Sequence, residues 1–250
     1  MLKGAGYATG AFVGSFPLDS RFGLTRGFDV YDDRYGEVNR LLAFGMPERP
    51  AGAVVDIATA WIRRQRGKWF AWVHLFDPHA PYRPPAPFDA RYASHPYDGE
   101  VAYVDSALGP LLALARRQDR STFIVVTGDH GESLGSHGEL THGLFAYEDT
   151  LRIPLIVNNT AQPHAYRFNH TRMAARHVDL VPTILDALGL GGPASLPGRS
   201  LLSALERRDD DAPASYFEAL SAFLNRGWGK PQPFMAREYV AVPFGDRHIH

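Results

Sequence analysis

Short apolar runs alternate along the chain with longer segments in which apolar residues recur every three or four positions. A short run rich in β-branched and aromatic residues predicts a buried strand, because it is too short for an independent helix. The three-to-four spacing predicts helices with one apolar face. The predicted strands are 7–13, 69–76, 121–127 and 153–157, and the predicted helices are 51–66, 97–117 and 177–188. This alternation indicates an α/β fold in which helices cover a sheet.

The segments between these elements are rich in turn-forming residues. Residues 25–35 and 189–197 are predicted to be loops, and residues 78–87 hold so much proline that they must form an extended loop. The pattern weakens after Asp211, where residues 216–223 fit a strand or a helix.

Composition excludes several classes of function. The 250 residues include 26 Lys and Arg against 27 Asp and Glu, a net charge of −1, so neither nucleic acid nor an anionic membrane is an expected partner. The chain has no cysteine, which excludes disulfides, thiolate metal sites and a cysteine nucleophile. No apolar run approaches the roughly 20 residues of a membrane-spanning helix. The start lacks the pattern of a signal peptide. Cellular location and oligomeric state are not indicated.

Polar clusters follow two of the predicted strands. His74, Asp77 and His79 lie at the end of one strand, and Asp129 and His130 follow another. Ligands of α/β sheets bind at the carboxyl ends of strands. An Asp-His pair between glycines lets the backbone turn sharply while carboxylate and imidazole face one divalent cation.

Each cluster also has a structural explanation. The Asp129-His130 pair fits a turn with a hydrogen-bonded imidazole, and His74 alternates with core aromatics and fits a hydrogen-bonded core residue equally well. Asp77 fits a loop cap as well as a site residue. The presence of two such clusters at strand ends is what favours a functional site.

Four segments in order resemble the sulfatase family of the alkaline-phosphatase superfamily: 70–82, 97–105, 127–138 and 147–157. Residues 177–185 and 197–201 resemble it too, so that the likeness runs from about Leu2 to Trp228. The resemblance implies an alkaline-phosphatase-like, mostly parallel sheet covered by helices. It also implies a partial catalytic domain over residues 1–205, with residues 206–250 as a C-terminal segment of the same domain.

The family chemistry implied is hydrolysis of a sulfate ester, on a small molecule or a glycan, at one divalent cation. Calcium is the ion implied first, with manganese or zinc as alternatives. Asp129 and His130 match a pair of metal ligands. His79 and His142 match catalytic, substrate-binding positions at the sulfuryl or leaving-group oxygens, and His74 is a further substrate-binding candidate.

Two departures from the family pattern leave alternatives open. His130 stands where many sulfatases carry asparagine, and His142 where many carry lysine. A phosphodiesterase or phosphonate monoester hydrolase of the same superfamily is therefore an alternative. A non-catalytic remnant that binds an anion or a partner is an alternative of another class.

The family nucleophile is a formylglycine made from Cys or Ser in a Cys/Ser-x-Pro-x-Arg motif, preceded by an Asp-Asp pair of metal ligands. By the resemblance this chain begins beyond both, so we expect it to lack the first strand and the nucleophile helix and to be inactive alone. Ser195 to Arg199 fits the motif literally but lies in an ordinary family loop. Asp32 and Asp33 are predicted to form a solvated turn.

Overall fold

The computed structural model describes residues 1–35, 47–117, 121–160, 173–207, 214–217 and 234–236. The chain divides into two compact units, Met1–Arg120 and Ser121–His250, and each is described by itself. The predicted division into residues 1–205 and 206–250 stays a prediction.

The first unit is built on a parallel sheet. Its strands are β1 (Ala8–Val13), β2 (Val30–Asp32) and β3 (Trp69–His74), in the order β2-β1-β3. Val13 lies opposite His74 at the carboxyl end of the β1–β3 pair. The strands predicted over residues 7–13 and 69–76 are confirmed with small shifts at their ends.

Three helices accompany this sheet: α1 (Ala51–Arg64), α2 (Phe88–Arg91) and α3 (Pro96–Ala115). Helix α1 buries the face that its spacing predicts, and Trp61 packs against Phe12 of β1 with ring centroids 5.6 Å apart. Each large apolar side chain buried here stabilises the unit by about 1.5–3 kcal/mol. The buried core cluster comprises Phe12, Val54, Ala58, Trp61 and Ile62.

The prediction of a solvated turn was wrong for Asp32, whereas Asp33 lies outside the strand and is partly exposed. Asp32 ends strand β2, within the segment predicted to be a loop, and is only 5% exposed. Arg49 compensates its charge, since Nη1 lies 2.6 Å from Oδ1 of Asp32 while Nε donates to the carbonyl of Val13. A strand of three residues is too short to show a period, and Arg49, one of the two arginines that pair with Asp32, is 17 positions away in sequence.

In the second unit the predicted strands and helix are confirmed with shifted bounds. Strand β4 (Phe123–Thr127) pairs antiparallel with β5 (Leu155–Asn159). Within residues 216–223, strand accounts for the described positions, and the rest lie outside the described residues. The other elements are α4 (Glu148–Leu151), α5 (Leu180–Ala187), α6 (Leu201–Arg207), β6 (Ser215–Phe217) and β7 (Phe234–Ala236). Among the described helices, none is long and apolar enough to cross a membrane.

Candidate active-site loops

Asp77 lies in the first loop, residues 75–87, which follows β3. Its Oδ2 accepts a hydrogen bond from the backbone N–H of Ala51 at 2.8 Å. A carboxylate here satisfies one of the free N–H groups at the start of α1 and complements the helix dipole. Burial raises the pKa of Asp77. Of the two explanations that the sequence left open, the structure therefore shows the cap.

His74 is half-buried at the end of β3, and its Nδ1 accepts from the backbone N–H of Gly14 at 3.3 Å. An accepting Nδ1 places the ring proton of the neutral imidazole on Nε2. This contact supports the structural explanation for His74. Its assignment as a substrate-binding residue stays a prediction.

His79 is held in the first loop by its backbone and by its ring. Nδ1 lies 2.7 Å from the carbonyl oxygen of Ala80, and because a carbonyl only accepts, Nδ1 carries the proton and Nε2 the lone pair. The ring stacks on Phe76 with centroids 4.0 Å apart. Its backbone N–H donates to Glu100 of α3 at 3.0 Å. Glu100 is a buried acid that the sequence analysis missed.

Asp129 and His130 open the second loop, residues 128–145, which follows β4. Their side chains are 79% and 41% exposed. His130 Nδ1 lies 2.9 Å from the carbonyl oxygen of Gly131, so Nδ1 is protonated and Nε2 is the basic nitrogen. That Nε2 lies 3.7 Å from Oδ2 of Asp129. Asp129 Oδ2 and His130 Nε2, which could both ligate a metal ion, are thus close together in an exposed part of the loop.

The glycines on either side of the Asp-His pair allow close approach of the backbone. The expected turn is present as a bend at Asp129 and His130, and neither Gly128 nor Gly131 has a positive φ. A Cβ on Gly131 would lie 2.1 Å from the carbonyl oxygen of Asp149, and the Gly131 N–H donates to the carbonyl of Thr150 at 2.8 Å. Backbone contact with α4 therefore fixes the loop immediately after His130.

His142 folds back over the Asp-His pair. Its ring centroid is 3.9 Å from that of His130, and Nδ1 lies 3.2 and 3.3 Å from the two carboxylate oxygens of Glu132. The Glu132 side chain is 6% exposed, so this orienting acceptor is largely shielded from water. His137, in contrast, stacks on Tyr147.

A further histidine supports the start of the second loop. His177 Nε2 donates to the carbonyl of Gly128 at 2.9 Å, next to Asp129. In the sequence, His177 stands out only as part of a segment that resembles the family. Its hydrogen-bond partner lies 49 positions away, so local pattern gives no sign of the contact.

The Ser-x-Pro-x-Arg segment has a structural explanation. Ser195 is exposed in a loop, and the backbone N–H of Arg199 donates to Oδ1 of the buried Asp179 at 2.9 Å. Arg176 pairs with the same carboxylate at 2.9 Å. This loop is thus tied to the start of α5.

Asp129 and His130 fit part of the ligand set of a divalent cation. Calcium prefers carboxylate oxygen, whereas transition-metal ions also bind imidazole nitrogen well. Two ligands of one such ion lie roughly 3 to 4 Å apart, a range that includes the observed separation. Across the residues that the structure describes, no group of three or more His, Asp or Glu could hold a metal ion. This pair would therefore need further ligands.

Comparison with known proteins gives the family. Residues 1–190 match the family model described as Sulfatase. The chain belongs to the sulfatase family. It is 34% identical over 107 residues to the uncharacterized sulfatase YidJ of Escherichia coli, and 35% identical over 126 residues to an N-acetylglucosamine-6-O-sulfatase of Bacteroides thetaiotaomicron. These matches cover 42% and 49% of this chain, but only 21% and 22% of the two relatives.

Solved structures confirm the predicted alkaline-phosphatase-like fold for this sulfatase-family chain. A phosphonate monoester hydrolase of Silicibacter pomeroyi aligns with a TM-score of 0.64 at 20% identity. The alignment covers 91% of this chain and 66% of that enzyme. At this level of identity the likeness extends to the fold alone.

Proposed function

We propose that this chain forms the cation-binding part of an enzyme that hydrolyses sulfate esters of small molecules or glycans with one divalent cation, held in part by Asp129 and His130. The observation that carries the proposal is the 3.7 Å separation of Asp129 Oδ2 and His130 Nε2 in an exposed loop. Membership of the sulfatase family supports it, as does the likeness to an N-acetylglucosamine-6-O-sulfatase. When bound, the cation would neutralise negative charge on the ester oxygens.

His142 is proposed to donate a proton to the leaving alcohol. Glu132 accepts the hydrogen bond from Nδ1, and we assign the contact with the substrate to Nε2. An imidazolium that donates from Nε2 offsets the charge that develops on the departing oxygen. Of the contacts that orient the ring, stacking on His130 keeps it beside the proposed metal ligand.

His79 is proposed to bind the ester oxygens in the same tautomeric form. The carbonyl of Ala80 takes the place of Glu132 as the acceptor for the Nδ1 proton. His79 Nε2 therefore binds the anionic ester oxygens as imidazolium, when it donates a hydrogen bond to one of them. The family resemblance supplies this role, and the contact with Ala80 supports it.

Hydrolysis of phosphate or phosphonate esters is the second candidate. It is favoured by His130, since an imidazole ligand suits transition metals better than an amide oxygen does. The fold shared with a phosphonate monoester hydrolase is compatible with this candidate.

Calorimetric titration with Ca²⁺, Mn²⁺ and Zn²⁺ tests the cation site without requiring turnover. Asp129→Ala is expected to weaken binding of the preferred ion at least about tenfold, because a charged ligand is lost. Asp149→Ala, which removes another exposed carboxylate of the second unit, is the control and should bind as the wild type does. Equal affinity in Asp129→Ala and the wild type would refute this site.

Turnover of paired aryl esters then decides the substrate class. Purified protein with the preferred ion is assayed on an aryl sulfate, an aryl phosphate diester and an aryl phosphonate monoester. If the chain hydrolyses any ester, the sulfate should be hydrolysed fastest, and faster phosphorus chemistry would establish the second candidate. Cation binding with no turnover of any ester is the result expected of a chain that is inactive alone, and it would exclude hydrolysis by the chain itself.

A further inference from the structure

Glu100 connects helix α3 to the first loop through both of its carboxylate oxygens. Oε2 accepts from the N–H of His79 at 3.0 Å, and Oε1 accepts from the N–H of Arg83 at 2.5 Å. The residue is only 4% exposed. A buried carboxylate satisfied by two backbone donors fixes both of those donors in space.

Close packing beside Glu100 reinforces the connection. A Cβ on Gly99 would lie 2.8 Å from Cγ of Pro84, so the absence of a side chain lets the loop rest directly on the helix. Asp77, earlier in the same loop, is tied to α1 through Ala51. The stretch that carries His79 is thus fixed on both sides.

The direction of the His79 ring follows from this backbone. The ring contacts the carbonyl of Ala80 and the ring of Phe76, both of which belong to the same stretch. A movement of the amides at positions 79 and 83 would therefore move the imidazole as well. Through this backbone, a side chain 21 positions away in sequence controls a proposed substrate-binding group.

We propose that Glu100 is a positioning residue for His79 and that protonation of its carboxyl group loosens the first loop. A carboxylate accepts at both oxygens, whereas a carboxylic acid turns one oxygen into a donor that faces a backbone N–H. One of the two hydrogen bonds is then lost. The consequence for catalysis rests on the proposed function; the hydrogen-bonded clamp itself does not.

The surroundings of Glu100 bring this change into the neutral range. Burial raises the pKa of Glu100 to about 7, and the negative charges of Asp77 and Glu48 act in the same direction. The Arg83 side chain acts on the neighbouring Glu48, whose own pKa is raised by burial. His79 faces the carboxylate through its backbone N–H rather than its ring. The clamp is therefore complete above about pH 7 and weakens below it.

Nuclear magnetic resonance of the full chain tests the clamp without requiring activity. The amide protons of His79 and Arg83 are followed from about pH 5 to about pH 9, together with the carboxyl carbon of Glu100. All three are expected to share one midpoint near 7. In Glu100→Gln both amides should lose that titration and stay near the acidic positions of the wild type. Asp98→Asn, an exposed change on the same helix, should retain it.

Different midpoints for the two amides, or a titration that survives in Glu100→Gln, would overturn the proposal. If Glu100→Gln does not fold, the midpoints of the wild-type amides and the Glu100 carboxyl carbon decide alone. With a hydrolysed ester in hand, Glu100→Gln should lower kcat/KM about tenfold and abolish the acidic limb caused by this group. An unchanged kcat/KM profile would remove the positioning role. Absence of turnover in the wild type would concern the proposed function alone and leave the clamp intact.

Discussion

The first and second loops hold their histidines by opposite means. The first is tied to two helices by a half-buried and a buried acid, since Asp77 caps α1 and Glu100 of α3 accepts from His79 and Arg83. The histidines of the second are held by short-range contacts, such as Glu132 to His142. One loop therefore depends on long-range tertiary structure, whereas the other depends mainly on its own sequence.

This difference separates the residues that fix the backbone from the residues that are proposed to bind a ligand. Burial of a carboxylate fixes a backbone but opposes ionisation, as the raised pKa values of Asp77 and Glu100 show. Asp129 and His130 remain exposed, so a cation can reach them and their replacement leaves no cavity. The proposed ligand-binding side chains of Asp129 and His130 can therefore be exposed, because other contacts fix the backbone beside them.

Gly131→Ala tests the one place discussed above where backbone contact with α4 fixes the second loop. It has the largest expected effect on the free energy of unfolding. The added Cβ would meet the carbonyl of Asp149, so we expect a loss of about 3 kcal/mol from the free energy of unfolding. Urea denaturation measures it. Gly109→Ala is the control, because nothing lies within 4 Å of that position in α3 and no loss is expected. Equal stability of the two variants would show that the second loop moves freely away from α4.

Elements fixed by local periodicity could be predicted from the sequence. Helix α1 and strand β1 bury the apolar residues that mark them, those of β3 are half-buried, and the bounds of all three shift only slightly. The Asp129-His130 pair could also be found, because adjacent residues after a strand need no tertiary knowledge to be brought together. Its assignment as a pair of metal ligands stays a prediction.

Groups whose roles depend on distant partners could not be predicted in this way. Glu100 acts through a loop 21 positions earlier, and His177 through a carbonyl 49 positions earlier. One signal for Glu100 was present: Glu100, Val104 and Leu108 follow one another at four-residue steps, so an acid continues an apolar series. A charged residue in such a series indicates a buried partner.

The pH dependence of stability measures the free energy that ionisation of the buried Glu100 costs the folded chain. The pKa of Glu100 is raised from its ordinary 4.5 to about 7, so between these values the folded chain keeps a proton that the unfolded chain releases. The resulting stabilisation is complete below about pH 4.5 and is lost as pH rises to about 7, a change on the order of 3 kcal/mol.

Glu100→Gln cannot release this proton and should lack that decline, which urea unfolding at about pH 5 and about pH 8 would reveal. Asp98→Asn should decline like the wild type because its side chain is exposed. A parallel decline in Glu100→Gln would assign the pH dependence to another group.

Replacement of Asp77 measures the other tie of the first loop. Asp77→Ala leaves the N–H of Ala51 without its carboxylate, so we expect a loss of about 1–2 kcal/mol in urea unfolding. Asp77→Asn keeps an oxygen that can accept from this N–H and should lose about half as much or less. If the two variants are equally unstable, the charge of Asp77 matters more than the cap.

Glu132→Gln should have the smallest effect on stability and a specific effect on His142. The amide oxygen still accepts from Nδ1, so only charge assistance is lost, about 0.5–1 kcal/mol. Imidazole nitrogen shifts should show that His142 changes from one Nδ1–H form to a mixture. His177, whose proton faces the Gly128 carbonyl instead, should keep its tautomer. A single unchanged tautomer at His142 would mean that stacking on His130, rather than Glu132, orients the ring; a mixture would establish that the second loop prepares its histidine through its own acid.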